Sequence, residues 1–233
     1  MSTRAFADGS ETIPPPLRVF VDKPAEPGEQ LLLAHSPYHP RSEQIRMLRT
    51  ELLLRHEPGG GANVVAVMSP CALEGRSQLA AELAIAFSQL GRPTLLVDAD
   101  LRHPQQHVLF NVDNASGLAQ AIERDSVPRF HSVANLPSLF LLPAGPAPPN
   151  PLELLSSRSF ETLAGEWRQH FEYVVVDTPP VSRYADGLAV ATITGRVLSL
   201  SRARRTPYRD TREMMRRLGA TQSRILGAVI NHF

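Results

Sequence analysis

Short, unbroken apolar runs separated by helix-length segments set the terms on which this chain can fold. Asn63–Met68 (NVVAVM), Pro93–Asp98 (PTLLVD) and Tyr173–Asp177 (YVVVD) lack the polar alternation of a half-solvated strand, and Arg196–Ser201, Ile225–Asn231 (ILGAVIN) and the shorter Leu139–Leu142 are further strand candidates. Runs of this kind read as strands buried on both faces. Between them, Arg76–Leu90 (closed by Gly91), Leu152–His170 and Tyr208–Leu218 have helical patterning. Strand–helix alternation requires right-handed crossovers and a mainly parallel sheet with helices on both faces, so the expected fold class is α/β. In that architecture ligands bind at the carboxyl ends of the strands.

The flanks read differently. Seven of the 21 prolines fall in the first 40 residues, including Pro14-Pro15-Pro16, and residues 1–40 are expected to form a flexible tail in which only Gln30–Leu33 docks locally. Residues 41–233 are then one domain, within the ~250 residues a single domain can reach. It opens with an amphipathic helix over 41–56, with Ile45, Leu48, Leu52 and Leu53 at helical spacing, Ser42 as N-cap, and the breaker Glu57-Pro58-Gly59-Gly60-Gly61 after it.

Composition narrows the function classes. A net charge of +1 gives no footing for nucleic-acid binding, and the short basic run Arg202, Arg204, Arg205 reads as solvated. The single cysteine, Cys71, excludes an intrachain disulfide and a cysteine-rich zinc cluster, which suits a reducing cytoplasm. No apolar run approaches the ~18 residues of a membrane span, so membrane association is expected only through a partner.

The segment NVVAVM-SPCALEGRSQ followed by a helix carries the chemistry. A strand–loop–helix turn aims backbone N–H groups and a helix N-terminus at an anion, the basis of phosphate binding in folds of the P-loop NTPase type. Against the pattern G-x-x-x-x-G-K-[ST], Gly75, Arg76 and Ser77 fill the last three places, with Glu74 and Gln78 flanking them, while Pro70 stands at the first glycine. Ser77 keeps the hydroxyl that ligates Mg²⁺, and Gly75 keeps a close backbone approach. Arg76 keeps positive charge but exchanges a compact ammonium for a planar fork. Leu73 is branched where loops of this kind use glycine, so it is expected to distort the N–H cradle. The only lysine is Lys23, so none of the expected domain's cations is a lysine. The alternative is an ordinary connection in a Rossmann-like fold.

Two strands end in carboxylates: PTLLVD runs into Asp98-Ala99-Asp100-Leu101-Arg102, and YVVVD ends at Asp177 before Thr178-Pro179-Pro180. Carboxylates at neighbouring parallel strand ends converge beside the loop, where they can organise Mg²⁺ (Asp98, Asp177) or accept a proton from an attacking hydroxyl (Asp98, Asp100). The competing role is helix capping.

MSPCALEGRSQLAAELAIAFSQLGRPTLLVDADLRHP, LLPAGPAPPNPLELLSS and FEYVVVDTPPV together resemble the bacterial tyrosine kinases of capsule and exopolysaccharide synthesis, over roughly Ser36–Phe233. LLVDADLR is similar to that family's second Walker-type motif and VVVDTPP to its Walker B strand. The resemblance implies ATP and Mg²⁺ as cofactors: Ser77 as the metal hydroxyl, Asp98 and Asp100 as metal-organising and catalytic carboxylates, Asp177 as the Walker B carboxylate, Arg76 in place of the family lysine, and Asn231 as an adenine-contacting amide. A subgroup resembling chain-length-determinant kinases uses EGRS at this place. Glu43, Arg46 and Arg49 form E-x-x-R-x-x-R, similar to the family's self-association motif, which implies a homo-oligomeric ring; a spacing of three sets them on one helix side, where they equally suit a solvated charged stripe. A membrane-embedded polysaccharide co-polymerase is the implied partner, and a cytoplasmic position at the inner membrane the implied location.

The family's tyrosine-rich tail has no counterpart in Asn231-His232-Phe233, and the four tyrosines (Tyr38, Tyr173, Tyr184, Tyr208) form no cluster. Tyr38 is therefore the expected accessible acceptor. Three readings stand: an ATP-dependent tyrosine kinase controlling polymer length, a catalytically inactive partner of the same machinery, and a partition-type positioning ATPase. The last uses an additional lysine where Pro70-Cys71 stand here.

Overall fold

The computed structural model describes residues 24–55 and 63–232. Seven strands form one sheet: β1 (Asn63–Met68), β2 (Thr94–Asp98), β3 (His131–Val133), β4 (Leu136–Leu142), β5 (Tyr173–Asp177), β6 (Arg196–Arg202) and β7 (Arg224–Asn231), in the spatial order β3-β4-β2-β5-β1-β6-β7. All pairings between these strands are parallel except β3 with β4. The mainly parallel α/β class read from the apolar runs is the observed one. β3 went unread because a three-residue strand of alternating burial carries almost no periodic signal.

Helices cover both faces. On one lie α1 (Leu32–His35), α2 (Pro40–Leu54) and α3 (Arg76–Ser88), enclosing a core that includes Leu31, Leu33, Leu83, Ile85, Val175 and Leu198. On the other, α5 (Leu118–Glu123), α6 (Pro151–Leu155), α7 (Arg158–His170), α8 (Asp186–Thr194) and α9 (Tyr208–Gly219) contribute to a second core with Phe130, Phe140, Phe160, Trp167 and Val176. Each such side chain taken out of water contributes about 1.5–3 kcal/mol before entropy is counted. The short α4 (Gln106–Leu109) follows β2. Among the described residues, no helix is long and apolar enough to cross a membrane.

Three sequence expectations need correction. The flexible tail over 1–40 fails from residue 24 onward: Ala25 N–H donates to Ser132 O (2.7 Å), Ala134 N–H donates to Ala25 O (2.8 Å), and Leu31 and Leu33 are buried. The run LLLAH has enough apolar surface to dock, and the neighbouring prolines punctuate turns; Pro40 opens α2 at a position where no N–H is needed. The part of that expectation covering residues 1–23 lies outside the described residues, as does the 57–61 breaker. Ser42 is not the cap of α2. His39 holds that place, its Nδ1 accepting from Arg41 N (3.2 Å), while Ser42 Oγ donates to Ser36 O (2.8 Å). The single helix over 152–170 is two, because Ser157 caps a new start by accepting from Phe160 N (3.2 Å).

Strand register is what prepares a site. Asp98 of β2 stands opposite Asp177 of β5, and Asp177 opposite Val67 of β1, so the carboxyl ends of three adjacent strands finish level with the 69–75 loop.

Candidate functional site

The 69–75 loop forms despite its altered letters. Leu73 adopts the left-handed conformation (φ 61°) that its branching disfavours, and the residue is 86% exposed: the side chain turns outward and the backbone bears the strain. Arg202 Nη1 donates to Leu73 O (3.2 Å) and helps hold that turn. Gly75 follows at φ 89°, where a Cβ would lie 2.5 Å from Asn231 Nδ2. Glycine is required there on both counts.

Glu74 and Gln78 were expected at a cofactor, yet both side chains serve the loop and its supports. The buried Glu74 carboxylate accepts from Cys71 N (2.9 Å) through Oε2 and from the Thr206 hydroxyl through Oε1, clasping the turn from inside. Gln78 Nε2 reaches Gln30 O (2.8 Å) on the N-terminal segment. Asn231 Nδ2 donates to Glu74 O (2.9 Å). Burial, then Glu74 and Asp210, push the Cys71 thiol up to about 11, so it is a neutral packing group at physiological pH.

Arg76 takes the most unexpected position. Its side chain is 8% exposed and bends under the loop: Nη1 donates to Ser69 Oγ (2.8 Å), Nη2 to Asp100 Oδ2 (3.2 Å) and Nε to Asp177 Oδ1 (3.3 Å). The guanidinium thus joins the ends of β1, β2 and β5. The other Asp177 oxygen accepts from Gln106 Nε2 (2.8 Å), which also reaches Ser77 O (3.0 Å), and the nearby Ser77 hydroxyl, with Gln106, favours the ionised form of the same carboxylate.

Asp98 is fully enclosed. Oδ1 accepts from Asp100 N (3.1 Å), and Oδ2 from Gln105 N and Gln106 N (2.9 Å each), so the capping role weighed against catalysis is the one its contacts express. Burial and the Asp177 charge raise its pKa well above the usual carboxylate range. Asp177 is also raised, by burial, with Arg76 opposing the shift. Asp100 Oδ1 accepts from His103 N (3.0 Å).

Ser77, Asp98, Asp100 and Asp177 therefore meet at one place, with Arg76 among them. Gln106 is the residue that sequence reading missed. It lies eight residues beyond Asp98, in a helix of a single turn without periodicity, and only the fold brings its amide to Asp177 and Ser77. Next to Gly75 and Asn231, a cleft of about 300 Å³ opens between α2 and β7, with Ile45, Leu48, Leu79 and Val229 in its walls.

These features can be tested against a magnesium nucleotide. The donors are hard oxygens, and the carboxyl groups of Asp100 and Asp177 share one guanidinium, an acidic excess that suits a divalent cation. Gln106 Oε1 is buried without a partner, an acceptor in reserve for a metal-bound water. No group of three His, Cys, Asp or Glu side chains able to hold a metal exists among the described residues. The apolar cleft beside the loop suits a planar base. The residues fit the group.

The remaining expected residues lie on α2. Arg46 Nη1 donates to Pro37 O (2.7 Å) and to Glu43 Oε2 (3.2 Å), whereas Arg49 Nη1 turns inward to Ala86 O of α3 (2.9 Å). Of the tyrosines, Tyr173 stacks on Phe87 (4.4 Å) and Tyr184 lies under Arg102 (4.3 Å). Tyr38 is 99% exposed, in an ordered turn rather than a tail, and Tyr208 is 80% exposed. Tyr208, at the start of α9, is thus a second exposed tyrosine beside the expected Tyr38.

No family model matches the chain. The tyrosine-protein kinase YwqD of Bacillus subtilis is 35% identical over 192 residues, 82% of this chain and 80% of YwqD. The crystal structure of the chimerical protein CapA2B2 superposes with a TM-score of 0.82 at 30% identity, covering 90% of this chain and 93% of that one. The kinase domain of the Escherichia coli tyrosine kinase ETK gives 0.81 at 27% identity, covering 86% and 79%.

Proposed function

The chain belongs to the bacterial tyrosine-protein kinase family, and from that premise we propose that it is an ATP-dependent regulator of exopolysaccharide polymerisation and chain length. It acts in the cytoplasm, against the inner membrane, through a membrane-embedded co-polymerase. The observation that supports this reading most directly is the convergence of Ser77, Asp98, Asp100 and Asp177 beside a loop that keeps its turn.

Bound Mg²⁺-ATP would supply a transferable phosphoryl group with its charge partly neutralised. The chain's own residues do the rest. The N–H groups of the 73–77 turn and the start of α3 hold phosphate oxygens. Ser77 and Asp177 present metal-binding oxygens, and Asp98 fixes the 100–106 segment so that Asp100 and Gln106 stay in place. Asp100, whose oxygens bond Arg76 and the His103 N–H rather than three backbone amides, is the proton acceptor for an attacking tyrosine hydroxyl once Arg76 moves aside. Ile45, Leu48 and Val229 shelter the base, with Asn231 at the edge of the cleft. Tyr38 and Tyr208 are the exposed acceptors.

A second reading, an inactive partner in the same machinery, is favoured by one observation: Arg76 is spent on Asp100 and Asp177 rather than directed at the loop opening. Titration calorimetry with Mg²⁺-ATP, paired with transfer of labelled γ-phosphate to the protein's own tyrosines, decides between them. Binding with transfer supports the kinase; binding without transfer, or no binding at all, rejects the kinase and supports the inactive partner.

Assembly through α2 belongs to the same proposal. Glu43 presents charge outward with Arg46 paired beside it, whereas Arg49 is turned toward α3, so Glu43→Ala with Arg46→Ala is the change expected to shift any oligomer toward monomer. An unchanged mass distribution by light scattering rejects this interface.

A further inference from the structure

We infer that Arg76 is the resident cation of the carboxylate cluster, its guanidinium standing where a divalent ion would otherwise be drawn, so that metal enters only together with nucleotide. The first part stands on geometry alone; the clause about nucleotide rests on the functional reading above.

Three nitrogens of one side chain bond three acceptors on three different segments: Ser69 Oγ after β1, Asp100 Oδ2 after β2 and Asp177 Oδ1 at the end of β5. The acceptors are almost fully withdrawn from water, with Asp100 and Asp177 side chains 4% and 0% exposed. Buried carboxylates without a counter-charge are strongly unfavourable, so a fold that brings them together needs a cation. A planar fork can serve three acceptors lying in different directions; an ammonium of lysine, one nitrogen on a shorter stem, cannot span them equally.

Occupation by Arg76 has a consequence for metal. An incoming Mg²⁺ meets a fixed positive charge, and the oxygens it needs are in use: Asp177 Oδ1 by Arg76, Asp177 Oδ2 by Gln106, Asp100 Oδ2 by Arg76 and Asp100 Oδ1 by His103 N. Phosphate changes the balance, because arginine pairs with phosphate oxygens as readily as with carboxylate. Drawing the guanidinium toward the loop opening exposes Asp100 and Asp177 at the moment a metal–phosphate complex arrives. Arginine at this place then acts as a gate that couples metal entry to nucleotide.

Manganese serves as the probe. Its binding is followed by electron paramagnetic resonance for the natural chain, Arg76→Met and Arg76→Gln, each with and without ADP. Without nucleotide, Arg76→Met is expected to bind Mn²⁺ at least about tenfold more tightly than the natural chain. Adding Asp177→Asn to Arg76→Met should abolish that gain and so locate the ion. Equal nucleotide-free affinities of the natural chain and Arg76→Met overturn the inference, as does a gain that survives Asp177→Asn. Should Arg76→Met fail to fold by circular dichroism, Arg76→Gln, which keeps hydrogen-bonding groups without the charge, decides: tighter nucleotide-free Mn²⁺ binding than the natural chain supports the inference, and equal binding overturns it. The ADP arm is separate. A natural chain that binds no nucleotide defeats the functional reading but leaves the nucleotide-free comparison standing.

Discussion

The loop and the strand ends depart from their sequence patterns in opposite directions. In the loop, the residues at the glycine and lysine places are changed, yet Leu73 and Gly75 take the backbone conformation a phosphate cradle needs. At the strand ends every aspartate is where the pattern wants it, yet each is already engaged, Asp98 by three N–H groups and Asp100 and Asp177 by Arg76. A motif match therefore reports which atoms are present, not whether they are available. The pairing also shows where the altered letter acts: Arg76 belongs to the loop by position and to the carboxylates by contact.

The largest test of this contrast removes the link. Arg76→Ala leaves two buried carboxylates without their counter-charge and is expected to lower unfolding stability by about 3 kcal/mol in urea titrations. A loss under about 1 kcal/mol would mean the carboxylates take up protons and manage without it.

Gly75→Ala comes next. Its positive φ and the predicted 2.5 Å approach to Asn231 Nδ2 should cost about 2 kcal/mol. Adding Asn231→Ala removes the close approach but not the backbone strain, so only partial recovery is expected; full recovery would show that the turn itself is unstrained.

Leu73→Gly should move the other way. Relief of the left-handed strain, less the entropy glycine loses on folding, amounts to about 0.5–1 kcal/mol of added stability. Arg202 contacts only the Leu73 carbonyl, which the substitution keeps. Destabilisation by thermal melting would show that the exposed leucine side chain has a packing role.

The smallest effect is a pH trend. Because burial and Asp177 raise the pKa of Asp98, the folded state holds that proton more tightly than the unfolded chain does. Its stabilising contribution is complete below the ordinary carboxylate range and is lost as pH rises through the elevated folded value. Melting temperature should therefore gain a contribution from this group on acidification from neutral, and Asp98→Asn should flatten the trend. A slope identical in both proteins would assign it elsewhere.

Much of the fold was legible because buried parallel strands are continuous apolar words: NVVAVM, TLLVD and YVVVD all lie where their composition put them. Elements that escaped are those stabilised by partners distant in sequence. α1 is four residues long and exists because α3 offers it an apolar floor; β3 needs β4 beside it. At the site, residue types and strand ends were readable, since aspartate after an apolar run has few reasons to be there. Side-chain direction was not. Nothing in EGRS says that the arginine bends beneath the loop, that Glu74 turns inward to Cys71, or that Gln106 completes Asp177.

Sheet order also bears on how the molecule comes into being. β1 lies between β5 and β6, so its nearest neighbours are synthesised on the order of a hundred residues after it. At ~5–20 residues per second, NVVAVM waits on the order of ten seconds for its flanking strands during translation. Through that interval an apolar, β-prone hexapeptide has only local contacts to shield it, and loop closure of this length makes its capture slow. The loop that follows β1 gains its aspartate partner only when β5 docks, so ligand competence arrives late in biogenesis, and shorter nascent chains carry the strand as a sticky surface without the chemistry.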